Sequence, residues 1–154
     1  QLTLGLLMYV QDYDEVLPGA APGDAPHPMG HWVPGLWVSA AAPCAVEQGG
    51  VFPYVKNAAV FRCPSDSQAQ AKRLSYSMNH QCSFRPLAAA QTPASTPFLA
   101  DESATLNDGF FVYGGNNGGD VPSFIHNEGA NLSFLDGHVK WYKRTQMPVL
   151  NWAL

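Results

Sequence analysis

The chain is poor in charge. Asp, Glu, Lys and Arg make up 13 % of its 154 residues, against 46 % apolar, and the formal net charge is −4. Basic residues cluster no further than Lys72-Arg73 and Lys143-Arg144. A nucleic-acid binder needs a basic face to neutralise phosphates, and a membrane-surface segment needs a polybasic run, so the sequence argues against both. Long hydrophobic runs are also missing. The longest, Leu6 to Val10, falls far short of the ~20 residues that cross a bilayer. There is no C-x-x-C, which argues against a zinc ribbon or thioredoxin-like motif. No G-x-S-x-G is present, and Cys63 is followed by Pro64 and not by a helix start, so a serine or cysteine nucleophile has no support. Cysteine itself is scarce and odd in number: Cys44, Cys63 and Cys82. Cys44–Cys63 and Cys63–Cys82 are both open as a disulfide in an exported protein, and three buried thiols are the alternative.

Proline (13) and glycine (14) are plentiful, which suits a loop-rich β or α+β domain and not a helical bundle. The length suits one domain with one core, burying roughly two-thirds of the unfolded surface. Residues 1–15 predict a helix. Leu2, Leu6, Tyr9, Val10 and Tyr13 make a stripe at helical spacing, and Leu4, Leu7 and Met8 carry the apolar character around most of the circumference. No N-cap residue precedes it, so the pattern reads as a helix cut off at its N-terminal end, and Pro18-Gly19 ends it. Residues 16–97 form a loop-rich middle. Its first part, 18–50, is dense in Pro, Gly and Ala and carries Trp32 and Trp37; a short helix or turn at 52–57, an extended segment at 60–64, a polar loop at 65–72 and a strand at 74–79 follow. Strands are expected at 98–101 and 110–113, within an antiparallel sheet over 98–144, with a tail at 145–154.

The strongest local signal is near the C-terminus, where His126 is followed by nine residues and then Asp136-Gly137. Asp-Gly between alternating apolar runs predicts a β-hairpin with a two-residue turn. In that register Phe134 faces Val139 and Leu132 faces Trp141, giving one apolar face for the N-terminal helix to cover. Asn131, Ser133, His138 and Lys140 fall on the other.

Four segments together carry a family resemblance: Leu4 to Glu15 with Leu17-Pro18; Pro53 to Asn57 followed by Val60 to Asp66; Ser75 to Asn79; and the hairpin from His126 to Trp141. The set resembles the prepilin-type, processing-associated family of type II secretion pseudopilin-like and type IV pilin-like proteins, with its H-x9-D-G segment of His126, Asp136 and Gly137. The resemblance implies an α+β, pilin-like fold in which the end of a long N-terminal helix packs on a C-terminal antiparallel sheet. It implies a structural subunit and not an enzyme, exported through an inner-membrane precursor into a periplasmic or extracellular filament. Its partners would be further copies of itself, other pseudopilins and an inner-membrane assembly platform, with no nucleic acid. The leader, the cleavage site and the hydrophobic half of the helix are absent from this sequence, so membrane contact would run only through a segment upstream of Gln1.

Several residues are candidates for a site, and each also has an ordinary structural role open to it. Asp101, Glu102, Asn107, Asp108 and Asp120 are a candidate Ca²⁺ set, since calcium takes oxygen ligands from flexible loops, and the resemblance to major pseudopilins supports it. The alternative is turn chemistry, in which Asp and Asn bond their own backbone. His126, Asp136 and His138 are considered as a transition-metal or hydrolytic set, but Asp136 and Gly137 are explained by the turn. Trp32, Trp37 and His31 offer the runner-up function, an exported module that binds a glycan or protein; the alternative is that the aromatics staple their loop to the core.

Overall fold

The computed structural model describes residues 1–20, 30–35, 38–102, 108–114 and 121–154. Helix α1 spans Leu2–Asp12, and its inward face buries Leu2, Leu6, Tyr9 and Val10. Tyr13 is 37 % exposed and stacks on Tyr9 with 4.1 Å between ring centroids. The chain leaves the helix through a tight turn. Asp14 and Glu15 both take positive φ, and the amide of Val16 donates to the carbonyl of Tyr13 at 2.9 Å. A short helix α2, Phe52–Val55, lies against α1. Gly5 permits this approach: a Cβ there would sit 2.6 Å from Cγ2 of Val55. The Tyr54 hydroxyl donates to Asp12 at 2.7 Å and ties the helix end to α2. Helix α3, Ala69–Lys72, occupies part of the segment expected to be polar loop. A 3-10 turn, Ala58–Phe61, takes the first two residues of the segment expected to be extended, because the Asn57 side chain caps it by accepting from the amide of Ala59 at 2.9 Å.

Five strands form one open sheet: β1 Tyr76–Asn79, β2 Pro97–Asp101, β3 Phe110–Phe111, β4 Gly129–Phe134 and β5 Val139–Lys143, in the order β3-β1-β2-β4-β5. The α+β class therefore holds, while the sheet differs from the expectation in two respects. It draws β1 from the loop-rich middle. It is also mixed: β2 runs antiparallel to β1 and β4, but the chain leaves β2 at Asp101 and re-enters beyond β1, so β3 lies parallel to β1.

The hairpin register is shifted by one residue. Ser133 pairs with Val139, Leu132 with Lys140 and Asn131 with Trp141. The reason is the turn. The amide of Phe134 donates to the carbonyl of His138 at 3.0 Å and that of Gly137 to Phe134 at 2.9 Å, leaving a three-residue loop of Leu135, Asp136 and Gly137 with Gly137 at φ +95°. A one-residue slip moves every side chain of β5 to the opposite face. Leu132 and Phe134 therefore do not share a face with Val139 and Trp141. They pack with Ala100, Ala130 and Met147 under Tyr142 and Trp152, so the C-terminal segment, with its 3-10 turn Arg144–Val149, covers that face in place of the helix. Helix α1 belongs to the other core, with Met78, Phe98, Leu99 and Leu135. Val139 and Trp141 are left 60 % and 43 % exposed on the edge strand.

Candidate functional site

Three segments distant in sequence converge at the open end of α1. Cys63 follows the 3-10 turn 58–61 and is held by a turn in which Asp66 donates its amide to the Cys63 carbonyl at 3.0 Å. Asp101 is the last residue of β2, opposite Tyr76 of β1, and is 1 % exposed. His126 opens a reciprocal turn into β4. The His126 amide donates to the Gly129 carbonyl at 3.2 Å and the Gly129 amide donates to the His126 carbonyl at 3.1 Å, while Asn127 and Glu128 sit at φ +53° and +59°. Two successive positive φ values make this a type I′ hairpin turn, at a steric cost for Glu128. The indole N–H of Trp141 donates to the His126 carbonyl at 2.7 Å and clamps the turn from β5.

His126 Nε2 lies 3.4 Å from Cys63 Sγ and 3.4 Å from Asp101 Oδ2. The three ligand-type atoms all lie within 4.8 Å of one another. Asp101 Oδ2 also accepts the backbone amide of Asn131 at 3.1 Å, whereas Oδ1 is buried with no hydrogen-bond partner among the described residues. Burial pushes the Asp101 carboxyl up to about 6, against the pull of the Asn131 amide and of His126. The nearby Asp66 carboxylate adds to that rise. Asp66 is itself buried and accepts from the Ser75 hydroxyl at 2.7 Å and the Gln68 amide at 2.9 Å. Burial first, then the Asp101 carboxylate, raises the Tyr76 hydroxyl. A cavity of about 370 Å³ opens onto the triad, walled by Leu2, Val60, Leu99, Ser133 and Val139 among others.

The contacts of Cys63 and Asp101 with a single imidazole nitrogen decide what the arrangement can do. A cysteine nucleophile activated through a Cys-His-Asp relay needs the acid on the nitrogen remote from the thiol. Here both approach Nε2. The geometry suits three donors directed at one point.

The sequence-based candidates fare unevenly. In the calcium set, Asp101 joins Cys63 and His126 and does not gather with Glu102 and Asp108. Asp108 Oδ1 accepts the Phe110 amide at 3.0 Å, which is turn chemistry, and Asn107 and Asp120 lie outside the described residues. In the His126, Asp136 and His138 set, Asp136 Oδ1 meets His138 Nδ1 at 2.6 Å beside the hairpin turn, which lowers the Asp136 carboxyl, while His126 lies with Cys63 and Asp101. Cys44, Cys63 and Cys82 are all free and buried, so neither disulfide forms. Burial pushes the Cys44 and Cys82 thiols up to about 12. Trp32 is fully buried, donates its indole N–H to the Gly109 carbonyl at 2.8 Å and packs on Phe61, so it staples its loop to the core. Trp37 lies outside the described residues, and His31 packs edge-on against Phe84. Of the assembly stripe, Leu2, Leu6, Tyr9 and Val10 fill the domain's own core; the outward apolar residues of α1 are Leu4 and Met8, 58 % and 50 % exposed.

Cys63, Asp101 and His126 lie on different segments and only tertiary pairing brings them together, so no local pattern marks them as a set. No family model matches the chain, and no curated protein or solved structure matches it either.

Proposed function

We propose that this chain is the globular portion of a pilin-like structural subunit, of the type II secretion pseudopilin or type IV pilin kind, that assembles into an extracellular filament. The observation that carries the reading is the two-sided apolar character of α1. One face fills the core, and Leu4 and Met8, four residues apart and so on one stripe, face outward at 58 % and 50 % exposure. A helix that keeps apolar side chains on its solvent face is suited to a second covering partner. Leu4 borders the hairpin turn, since a Cβ on Gly137 would lie 3.9 Å from its Cδ2. The covering partner in this reading is the equivalent helix of a neighbouring copy. No helix among the described residues is long and apolar enough to cross a membrane, so anchoring and export would fall to residues upstream of Gln1.

The test is electron microscopy of filaments sheared from cells that express the complete gene product, labelled with antibody to this domain. Labelled filaments are expected, and Leu4→Glu with Met8→Glu should abolish them while the isolated domain keeps its melting temperature. A product that stays discrete with its whole N-terminal helix present would overturn the reading.

A further inference from the structure

We propose that Cys63, Asp101 and His126 bind a divalent transition-metal ion of the zinc class. The donor set is one thiol, one imidazole and one carboxylate. Thiolate and imidazole favour zinc-like ions, whereas calcium and magnesium take oxygen alone. Two of the three donor separations agree. With Zn–S about 2.3 Å and Zn–N and Zn–O about 2.0–2.1 Å, the edges of a tetrahedron are about 3.6 Å for S to N and about 3.4 Å for N to O. The corresponding separations here are 3.4 Å and 3.4 Å.

Two further observations point to a ligand. The first is Asp101 Oδ1, buried on a residue 1 % exposed and without a hydrogen-bond partner among the described residues. A buried carboxylate with one oxygen left this way is unfavourable, and a cation held at Oδ2 of the same group offsets that cost. The second is the support around each donor. Asn131 donates its amide to Asp101, the Asp66 amide closes the turn that begins at Cys63, and Trp141 holds the turn that carries His126. Outer contacts of this kind orient metal ligands.

Three protein ligands leave one position of the tetrahedron, and the 370 Å³ cavity over the triad gives a water molecule access to it. Binding breaks the Cys63 S–H bond, forms the Sγ–metal bond and releases the proton to solvent. No electrons are transferred, and the ion keeps its oxidation state. The ion would tie together the segment after residue 61, the end of β2 and the turn before β4, three parts of the chain that no disulfide links.

The test is titration of metal-free protein with Co²⁺ and then Zn²⁺. One equivalent of Co²⁺ is expected to give a thiolate-to-cobalt charge-transfer band, one equivalent of Zn²⁺ to abolish it, and Zn²⁺ to raise the melting temperature. Cys63→Ser should remove the band, and Asp101→Asn and His126→Gln should each weaken binding by more than the roughly 10–100-fold that loss of an outer contact costs. Should these variants fail to fold, the wild-type titration still decides, together with alkylation of the native protein: Zn²⁺ should slow modification of Cys63. The proposal is overturned if millimolar metal produces neither the band nor a thermal shift, or if folded Cys63→Ser binds as tightly as the native chain. The contacts would then be a thiol–imidazole hydrogen bond and an imidazole–carboxylate pair.

Discussion

The indole of Trp141 lies over Gly129 and donates its N–H to the carbonyl of His126 at 2.7 Å. A partly exposed tryptophan thus fixes the turn that presents His126 to the cavity. The absence of a side chain at position 129 makes room for it, because a Cβ there would fall 2.5 Å from the ring and 2.4 Å from the Tyr142 carbonyl oxygen. Gly129→Ala should therefore cost about 1–3 kcal/mol by overpacking. Trp141→Phe, which keeps most of the covering ring, should cost about 0.5–1.5 kcal/mol for the lost hydrogen bond. Denaturant unfolding of both variants checks the ordering.

The hairpin turn rests on Gly137, whose φ of +95° is reached by residues with a Cβ only under strain. Gly137→Ala is expected to destabilise by about 1–2 kcal/mol. The new methyl would touch Leu7 Cδ1 at 3.4 Å, so a shift of the strained turn passes to α1 and the two should loosen together. Hydrogen exchange of the β4–β5 amides and the α1 amides would reveal a joint loss of protection.

The two faces of α1 should respond oppositely to substitution. Leu6 is fully buried, and Leu6→Ala is expected to cost about 2–5 kcal/mol. Leu4→Glu and Met8→Glu should change domain stability by no more than about 0.5 kcal/mol, since both side chains are at least half exposed. Thermal melts of the three variants separate folding from assembly.

Cys44 and Cys82 make stability fall in alkali. Their thiols move from an ordinary value of 9.0 to about 12, so the folded state holds protons that the unfolded state gives up. That stability is fully present below about pH 9 and is lost as pH rises from there towards 12. The melting temperature should decline over this window, and Cys82→Ala should flatten the decline. At pH 8 both thiols should resist alkylation until the protein unfolds, which mass spectrometry of modified peptides would record.

The local elements were readable where one physical cause dominated. The stripe Leu2, Leu6, Tyr9 and Val10 marked α1, the alternation of 74–79 marked β1, and Asp136-Gly137 marked the hairpin. What escaped depended on competition between segments. Asp-Gly suits both two- and three-residue loops, and the choice between them reversed the faces of Val139 and Trp141. The parallel β1–β3 pairing and the covering of Leu132 and Phe134 by Met147 and Trp152 carry no local signal. The same holds for the Cys63–Asp101–His126 cluster: Cys63 and His126 stand 63 residues apart, and His126 reaches the site through a left-handed turn at Asn127 and Glu128 that glutamate does not advertise.

We propose that α1 packs against the equivalent helices of neighbouring copies in a filament. The most direct test of this proposal is the mass of the mature protein isolated from its native cells, which fixes the natural N-terminus. A pilin-like subunit is expected to have a mature chain that begins ~20 apolar residues before Leu2 and runs into α1 without a break. A mature chain that begins at a conventional secretory cleavage beside Gln1 would contradict it.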